Sequence, residues 1–374
     1  MPSLTPLAES LPSAVPFVGP EAIARASGIA TAARIGANES AFGPSPKAVE
    51  AMQQAVVDSW AYGDPEHFEL REAIASHHGV ARENVIVGEG VDGLLGLLVR
   101  LFVEPGVKVA TSAGAYPTFN YHVNGFGGEL VTVPYAGDHE DPDALVALAA
   151  REQTALAYFA NPDNPMGSWH DAETVTRLIA HMPESCLLCL DEAYVDFAPP
   201  GTVPALDVTR PNLIRFRTFS KAYGMAGIRV GYGLAHADLV DAFHKVRNHF
   251  GVSRVAQVGA CAALADQAYL AEIVARTAAA CDRIADIART NGLTALPSAT
   301  NFVAVDCGGD AQRARSIVDG LAAHGVFIRM PFVAPQNRCV RITAGTDAQL
   351  DLLESALPQV LAALPRNEDL PLAV

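Results

Sequence analysis

The alternation of short apolar runs with helix-like segments constrains the fold of this chain more than any other feature. Seven β-rich runs occur in the sequence, and most are separated by stretches with helical periodicity. In chain order the runs cover residues 84–87, 107–112, 129–133, 155–159, 186–190, 213–218 and 228–234. This alternation predicts an α/β fold in which a mainly parallel seven-stranded sheet is flanked by helices on both faces.

The pattern changes after residue 250, where a long helical segment is followed by shorter strand-like runs. We therefore predict an N-terminal arm (1–34), a large domain (35–250), a smaller C-terminal α+β domain (251–366) and a tail (367–374). Within the large domain, Ser45 and Pro46 are typical of a helix N-cap and first helical residue. Further helices are predicted over 66–78 (ending at Gly79), 91–103, 171–182 and 237–250, and the long C-terminal-domain helix over 267–291.

Composition excludes several classes of partner. The formal net charge of −15 argues against nucleic acid and against anionic membrane surfaces. The longest apolar run, 94–103, contains Arg100 and is too short to span a bilayer. Cys186 and Cys189 would point to opposite faces of a strand, so buried thiols are favoured over a metal site. We expect a cytoplasmic protein that needs no metal.

The segment around Lys221 carries the strongest functional signal. Lys221 directly follows Ser220 at the end of an apolar run, and a glycine-containing turn leads to Arg229. Burial lowers the pKa of a lysine and frees its amine to form an imine with a carbonyl compound. Serine and arginine are suited to binding phosphate. Pyridoxal phosphate requires both features, although taken alone the segment fits a solvated loop lysine equally well.

Polar residues follow two other predicted strands, at the edge where ligands bind in parallel sheets. Asp191 follows the run 186–190, and a buried carboxylate there needs a cation such as a pyridinium nitrogen. Tyr194 and Asn164 lie in the loops after two strands and could reach the oxygen of a pyridoxal ring. Alternatively, Asp191 caps a helix, Tyr194 packs in the core, and residues 161–167 form an ordinary turn.

A glycine-rich loop at residues 88–93 matches G-x-G-x-x-G between a strand and a helix. This pattern makes a nicotinamide-dependent oxidoreductase the main rival hypothesis. However, a lone match is a weak signal, and no acidic residue ends a clear second strand ~20 residues further on. The backbone N–H groups of Gly90 and Val91, at a predicted helix N-terminus, could instead bind a monophosphate.

One aromatic residue and two arginines complete the candidate site. Phe119 could stack on a flat cofactor ring, with core packing or stacking by Tyr116 as the alternatives. Arg329 follows an apolar run and Arg341 lies inside one, so each needs an anion from a protein carboxylate or from substrate. We favour substrate, because both belong to the domain expected to close over the cofactor.

These positions, in this order, resemble the fold-type-I pyridoxal-phosphate aminotransferases, and most of all the histidinol-phosphate aminotransferases. The similar segments are 37–39, 42–44, 62–65, the Gly90 loop, 161–167, 191–194, 220–229 and 340–346. The resemblance implies Lys221 as the imine lysine, Asp191 as partner of the ring nitrogen, Tyr194 and Asn164 at the ring oxygen, and Gly90, Val91, Ser220 and Arg229 at the phosphate. It further implies substrate binding by Asn38, Arg329 and Arg341, and a homodimer in which Tyr62 reaches the neighbouring subunit's cofactor.

The chain departs from that family at three positions. Phe17 and Phe119 stand where tyrosines are usual, and Ala41 replaces a proline. An aromatic or other amino donor therefore remains open. We predict transfer of an amino group between an amino acid or amino-alcohol phosphate and a 2-oxo acid, with Lys221 as general base and acid. A decarboxylase similar to the threonine-phosphate decarboxylases is the close alternative. A catalytically silent regulatory module is disfavoured by the intact set of candidate residues.

Overall fold

The computed structural model describes residues 2–12 and 18–364, which form an α/β protein. The strands are β1 (Ala33–Arg34), β2 (Val85–Gly88), β3 (Lys108–Ser112), β4 (Glu129–Val133), β5 (Leu156–Ala160), β6 (Leu187–Asp191), β7 (Leu213–Thr218), β8 (Gly231–Ala235), β9 (Thr294–Ala295), β10 (Phe302–Asp306), β11 (Val326–Phe327) and β12 (Cys339–Thr343). The helices are α1 (Pro6–Ser10), α2 (Pro20–Ser27), α3 (Pro46–Val56), α4 (Phe68–His78), α5 (Gly90–Phe102), α6 (Pro117–Gly125), α7 (Pro142–Glu152), α8 (Ala172–His181), α9 (Ala237–His244), α10 (Arg254–Ala265), α11 (Gln267–Thr290), α12 (Ala311–Ala323) and α13 (Asp347–Ala363).

The large sheet has seven strands in the order β2-β8-β7-β6-β5-β3-β4. Neighbouring strands in this sheet are parallel, except that β8 is antiparallel to both β2 and β7. This confirms the predicted mainly parallel seven-stranded sheet. Two boundaries differ from the prediction in ways that affect the site. Strand β6 includes Asp191, and β8 begins at Gly231 because Ala226–Ile228 form a 3-10 turn and Arg229 has a φ of 60°.

Local sequence signals account for several helix ends. Ser45 caps α3, since its hydroxyl accepts the N–H of Lys47 at 3.2 Å, and Pro46 is the first helical residue. Helix α4 ends at His78 and is capped by Gly79, whose φ of 67° closes the C-terminus. Helix α9 ends at His244 rather than at residue 250, so the predicted helix was too long at its C-terminus.

Two predicted domain boundaries do not match the packing. Helix α10 lies against α3 and α4, and its Ala256 and Ala260 share a core cluster with Val85 and Phe219 of the large domain. The large domain therefore continues past residue 250. At the other end, β1 pairs in parallel with β11, and Ile35 packs in the core of the smaller domain. The chain thus passes through the smaller domain before it builds the large one.

The smaller domain contains the antiparallel sheet β12-β10-β9 together with the β1–β11 pair. Its core is formed mainly by α11, α12, α13 and these strands. Within the part of the chain that the structure describes, no single helix is long and apolar enough to cross a membrane. Helices α10 and α11 meet that test only as a pair, with an 81° bend between them. No group of three or more potential metal ligands occurs in the same described ranges.

Candidate active site

A cavity of about 600 Å³ lies where the carboxyl ends of β5, β6 and β7 face the smaller domain. Most of the residues singled out from the sequence line it together. They are Asn38, Val91, Asn164, Asp191, Tyr194, Ser220, Lys221, Arg229, Arg329 and Arg341. The two domains therefore contribute different side chains to one site. This edge of the sheet is where parallel strands place ligand-binding groups.

The amine of Lys221 is held between backbone and aromatic groups. Its Nζ donates to the carbonyl oxygen of Asn38 at 3.0 Å and lies 5.5 Å from the ring centre of Tyr194. Burial, and then the positive charge of Arg341, lowers the pKa of Lys221 to about 8. A sizeable fraction of this amine is therefore neutral near pH 7 to 8, as a nucleophile or proton acceptor requires.

Asp191 presents a carboxylate to the same cavity. Its Oδ1 accepts the N–H of Ala193 at 2.9 Å, and its Oδ2 accepts the hydroxyl of Tyr158 at 2.7 Å. Burial raises the pKa of Asp191, while the hydrogen bonds from Tyr158 and Ala193 act in the opposite direction. No α-helix begins at Asp191, because a short 3-10 turn (Val195–Phe197) follows, so the helix-cap alternative is wrong.

Polar groups from both domains approach Lys221. Asn38 adopts a φ of 56°, and its Nδ2 donates to the hydroxyl oxygen of Tyr194 at 2.8 Å. Burial raises the pKa of Tyr194, so its hydroxyl keeps its proton and remains a donor. Asn164 accepts a hydrogen bond from Nη1 of Arg341. Tyr194 and Asn164 therefore both line the cavity that contains Lys221.

The glycine-rich loop (residues 88–93), Ser220 and Arg229 meet at the N-terminus of α5. Arg229 places Nη1 3.5 Å from Oγ of Ser220, and its Nη2 lies 3.4 Å from the carbonyl oxygen of Glu89. Gly90 has a φ of 77°, which favours glycine, and a Cβ there would come within 2.5 Å of that Nη2 and displace the guanidinium. The N–H groups of the first turn, including Val91, add to the positive potential. The arrangement suits a monophosphate.

The two arginines from the smaller domain are paired in an isolated antiparallel bridge, in which Arg329, just after β11, and Arg341 of β12 exchange backbone hydrogen bonds. Arg341 also donates to the carbonyl oxygen of Gly36, and Arg329 donates to that of Val18 at 3.1 Å. Burial lowers the pKa of Arg341 to about 10, which shows how poorly its charge is solvated. These guanidinium groups can bind an anionic group of a ligand.

Phe119 and Tyr62, which the sequence assigned to the cofactor, lie outside the cavity. Phe119 is fully buried and stacks on Tyr158, with ring centres 4.6 Å apart, so it does not line the cavity and the stacking role assigned to it is wrong. Tyr116 lines the cavity instead. Tyr62 is 77% exposed, outside this cavity, and its ring packs against that of Phe250. Phe17 lies outside the described residues.

Sequence reasoning missed a buried ion-pair network directly behind Asp191. The carboxylate of Glu192 is 2.5 Å from Nη2 of Arg215 and 2.9 Å from Nε of Arg217. Although burial would raise the pKa of Glu192, the two arginines outweigh it and hold the pKa below its usual value. The two arginines alternating in an apolar strand were the signal that could have indicated a buried acid nearby.

A second missed group consists of two buried acids, Asp163 in the loop that carries Asn164 and Glu140 next to that loop. Pairing between β3 and β5 stops at residue Ala157, and Glu140 accepts the N–H of Ala160 beyond that point at 3.0 Å. Asp163 accepts the hydroxyl of Tyr135 at 2.9 Å, and burial raises the pKa of Asp163 to about 7. Nothing in the sequence pattern distinguishes these acids from solvated loop residues.

Comparison with known proteins agrees with this geometry. The sequence profile of the family described as aminotransferase class I and II matches residues 33–357. The fold, the lysine-centred site and this match together define the class of protein: the chain belongs to the class I and II aminotransferases. This confirms the resemblance predicted from the sequence.

The relatives narrow the comparison further. The chain is 36% identical over 367 residues to a histidinol-phosphate aminotransferase of Anaeromyxobacter sp. (strain Fw109-5), covering 97% of this chain and 100% of the relative. A crystal structure of histidinol-phosphate aminotransferase from Sinorhizobium meliloti in complex with pyridoxal-5'-phosphate is 55% identical, with a TM-score of 0.95 and coverage of 98% and 99%. Thermus thermophilus aspartate aminotransferase with maleate shares the fold at 21% identity, with a TM-score of 0.78 and coverage of 96% and 100%.

Proposed function

We propose that this protein is a pyridoxal-phosphate-dependent aminotransferase whose amino donor is histidinol phosphate or a similar phosphorylated amine, with a 2-oxo acid as acceptor. The observation that carries the proposal is the single cavity that unites the amine of Lys221, the carboxylate of Asp191 and two arginines from the smaller domain. The high identity to a histidinol-phosphate aminotransferase over nearly the whole chain supports it.

The residues present fit the cofactor. Gly90, Val91, Ser220 and Arg229 would hold its phosphate, because they combine helix N–H groups, a hydroxyl and a guanidinium. Asp191 would pair with its ring nitrogen, and this cation would offset the cost of burying the carboxylate. When bound, pyridoxal phosphate supplies an aldehyde carbon to which an amine can be joined and a ring that withdraws electrons from the substrate.

Lys221 has the properties of a proton carrier for amino transfer. With a pKa of about 8, its Nζ can accept a proton from the α-carbon of the donor and later release it. The carbonyl of Asn38, 3.0 Å away, holds the amine in the cavity. Arg341 and Arg329 would bind the anionic group of the donor and so orient its α-carbon toward Lys221.

The test is a panel of amino donors under single-turnover conditions, read by loss of the absorption band of the bound cofactor. The panel contains histidinol phosphate, phenylalanine, tyrosine and aspartate. We expect the fastest loss of this band with histidinol phosphate and, once a 2-oxo acid is also supplied, no repeated turnover by Lys221→Ala with any donor. Lys245→Ala, at an exposed lysine, is the matched control and should behave as wild type. Multiple turnovers by Lys221→Ala contradict the proposal, and release of carbon dioxide without an acceptor indicates the decarboxylase alternative.

We also propose that the enzyme is a homodimer in which Tyr62 completes the site of the neighbouring subunit. Val57, Trp60 and Tyr62 are each more than three-quarters exposed, and the exposed Phe250 packs against Tyr62. This is unusual apolar exposure for a surface that stays solvated. Two inactive variants, Tyr62→Ala and Lys221→Ala, provide the test. In a two-fold dimer their mixture regains one intact site. A mixture that remains inactive contradicts the shared site.

The proposed location is the cytoplasm. All six cysteines are unpaired, which suits a reducing compartment. Fractionation of cells that express the protein with a C-terminal tag is the direct measurement, and recovery outside the cytoplasmic fraction contradicts the proposal.

A further inference from the structure

The carboxylate of Asp191 has two hydrogen-bond donors of different kinds. Oδ1 accepts a backbone N–H, which any residue except proline at position 193 would supply. Oδ2 accepts the hydroxyl of Tyr158 at 2.7 Å, which only that side chain supplies. A hydrogen bond to an ionised acceptor is short and strong, and its loss inside a protein leaves the carboxylate under-solvated.

The hydroxyl of Tyr158 is fixed by its surroundings. Tyr158 lies in the middle of β5, is 1% exposed, and stacks on Phe119 with 20° between the ring planes. Strands β5 and β6 are parallel neighbours in register through Tyr158 and Cys189, which brings the tyrosine ring alongside the strand that ends at Asp191. The backbone and the Phe119 ring therefore leave the hydroxyl little freedom to turn away.

We propose that Tyr158 is a positioning residue that orients the Asp191 carboxylate and keeps it anionic for recognition of a protonated ring nitrogen, with Phe119 as its support. This inference rests on the proposed function, since it concerns the ring-nitrogen partner of the bound cofactor. It also gives Phe119 a different role from the one the sequence indicated. Phe119 acts through Tyr158 and does not contact the ligand itself.

The experiment compares two ligands of the cofactor-free enzyme. One is pyridoxal phosphate, and the other is its deaza analogue, in which carbon replaces the ring nitrogen. The dissociation constant of the deaza analogue divided by that of pyridoxal phosphate measures recognition of the nitrogen alone, because the two ligands share the remaining ring atoms, the aldehyde and the phosphate. We expect Tyr158→Phe to reduce this ratio by about tenfold or more, the size expected for one hydrogen bond to a charged group. The expected change comes from weaker binding of pyridoxal phosphate only.

Tyr135→Phe is the matched control. Tyr135 also donates from a buried position to a buried carboxylate, that of Asp163, but neither residue lines the cavity. The control should leave the ratio unchanged. If Tyr158→Phe does not fold, Phe119→Leu, which loosens the stack but keeps the hydroxyl, must lower the same ratio.

The outcomes separate the inference from the proposed function. If the wild-type enzyme does not prefer pyridoxal phosphate over the deaza analogue, the role of Asp191 and with it the proposed function fail. If the wild type discriminates and Tyr158→Phe discriminates equally well, the inference about Tyr158 is overturned. Equal weakening of both ligands by Tyr158→Phe shows a purely structural role and also overturns it, as does an equal loss in the Tyr135→Phe control.

Discussion

Two arginines in this protein occupy apolar strands, and their surroundings differ. Arg215 of β7 is 1% exposed and forms an ion pair with Glu192 at 2.5 Å. Arg341 of β12 donates instead to the amide oxygen of Asn164 and to the carbonyl oxygen of Gly36, and no carboxylate oxygen of the described residues lies within 4 Å of its guanidinium. The first charge is neutralised by the protein. The second is available to a ligand anion.

The difference matters because a charge removed from water is costly unless an opposite charge meets it. Arg341 avoids part of that cost because it borders the cavity, and burial still lowers its pKa to about 10. For Glu192 and Arg215 the protein itself supplies the opposite charge. A structural ion pair should therefore contribute to stability, and a ligand-binding arginine should contribute to binding and catalysis.

The largest expected effect is on stability, at the buried ion pair between Glu192 and Arg215. Glu192→Gln leaves Arg215 and Arg217 without their anion, so the free energy of unfolding should fall by about 3–5 kcal/mol, as is typical when one partner of a buried pair is removed. Denaturant unfolding of the cofactor-free protein measures it. The control is Glu354→Gln, which breaks an exposed ion pair with Arg283 and should cost at most about 1 kcal/mol. Equal losses in both variants contradict the interpretation of Glu192 as a structural acid.

The second largest effect is expected at Arg341, which has no carboxylate partner among the described residues. Arg341→Met should lower kcat/KM for histidinol phosphate by roughly 100-fold, about 2.7 kcal/mol, because an anion in the cavity loses its guanidinium. The free energy of unfolding should stay the same or rise, since a poorly solvated charge is removed. Arg338→Met is the matched control: Arg338 is paired with Asp138 and Asp306, and it does not line the cavity. Unchanged catalysis in Arg341→Met would rule out the ligand-binding role.

A smaller effect is expected on the stability that a bound anion adds, because only Arg341, and not a paired arginine, should bind that anion. A substrate-like anion at ten times its dissociation constant should raise the unfolding free energy of the wild type by about 1.4 kcal/mol. Inorganic phosphate and histidinol phosphate can serve as probes in thermal unfolding of the enzyme loaded with cofactor. The gain from histidinol phosphate should be lost in Arg341→Met and kept in Arg338→Met. If Arg341→Met gains as much as the wild type, the anion binds elsewhere.

The sequence could predict the fold and most of the site, but it could not separate these two arginines. The residues at the strand ends, such as Asp191 and Lys221, were predictable because parallel strands bring their carboxyl ends to one edge. The runs around Arg215 and Arg341 look alike, and only the three-dimensional neighbours decide which charge is neutralised. Phe119 was assigned wrongly for a related reason, since sequence spacing does not show toward which side of a helix an aromatic ring points.

The smallest expected effect is that of Arg341 on the pKa of Lys221. Its positive charge, after burial, contributes to lowering the pKa of Lys221 to about 8. The amine reacts only when neutral, so capture of pyridoxal phosphate by the cofactor-free enzyme should speed up as pH rises through this value. In Arg341→Met the midpoint should move to higher pH by less than one unit, equivalent to under about 1.4 kcal/mol, and capture at pH 7 should slow. Stopped-flow measurements across pH test this, with Arg338→Met as reference. A shift to lower pH contradicts the coupling, because removal of a nearby positive charge can only favour the protonated amine.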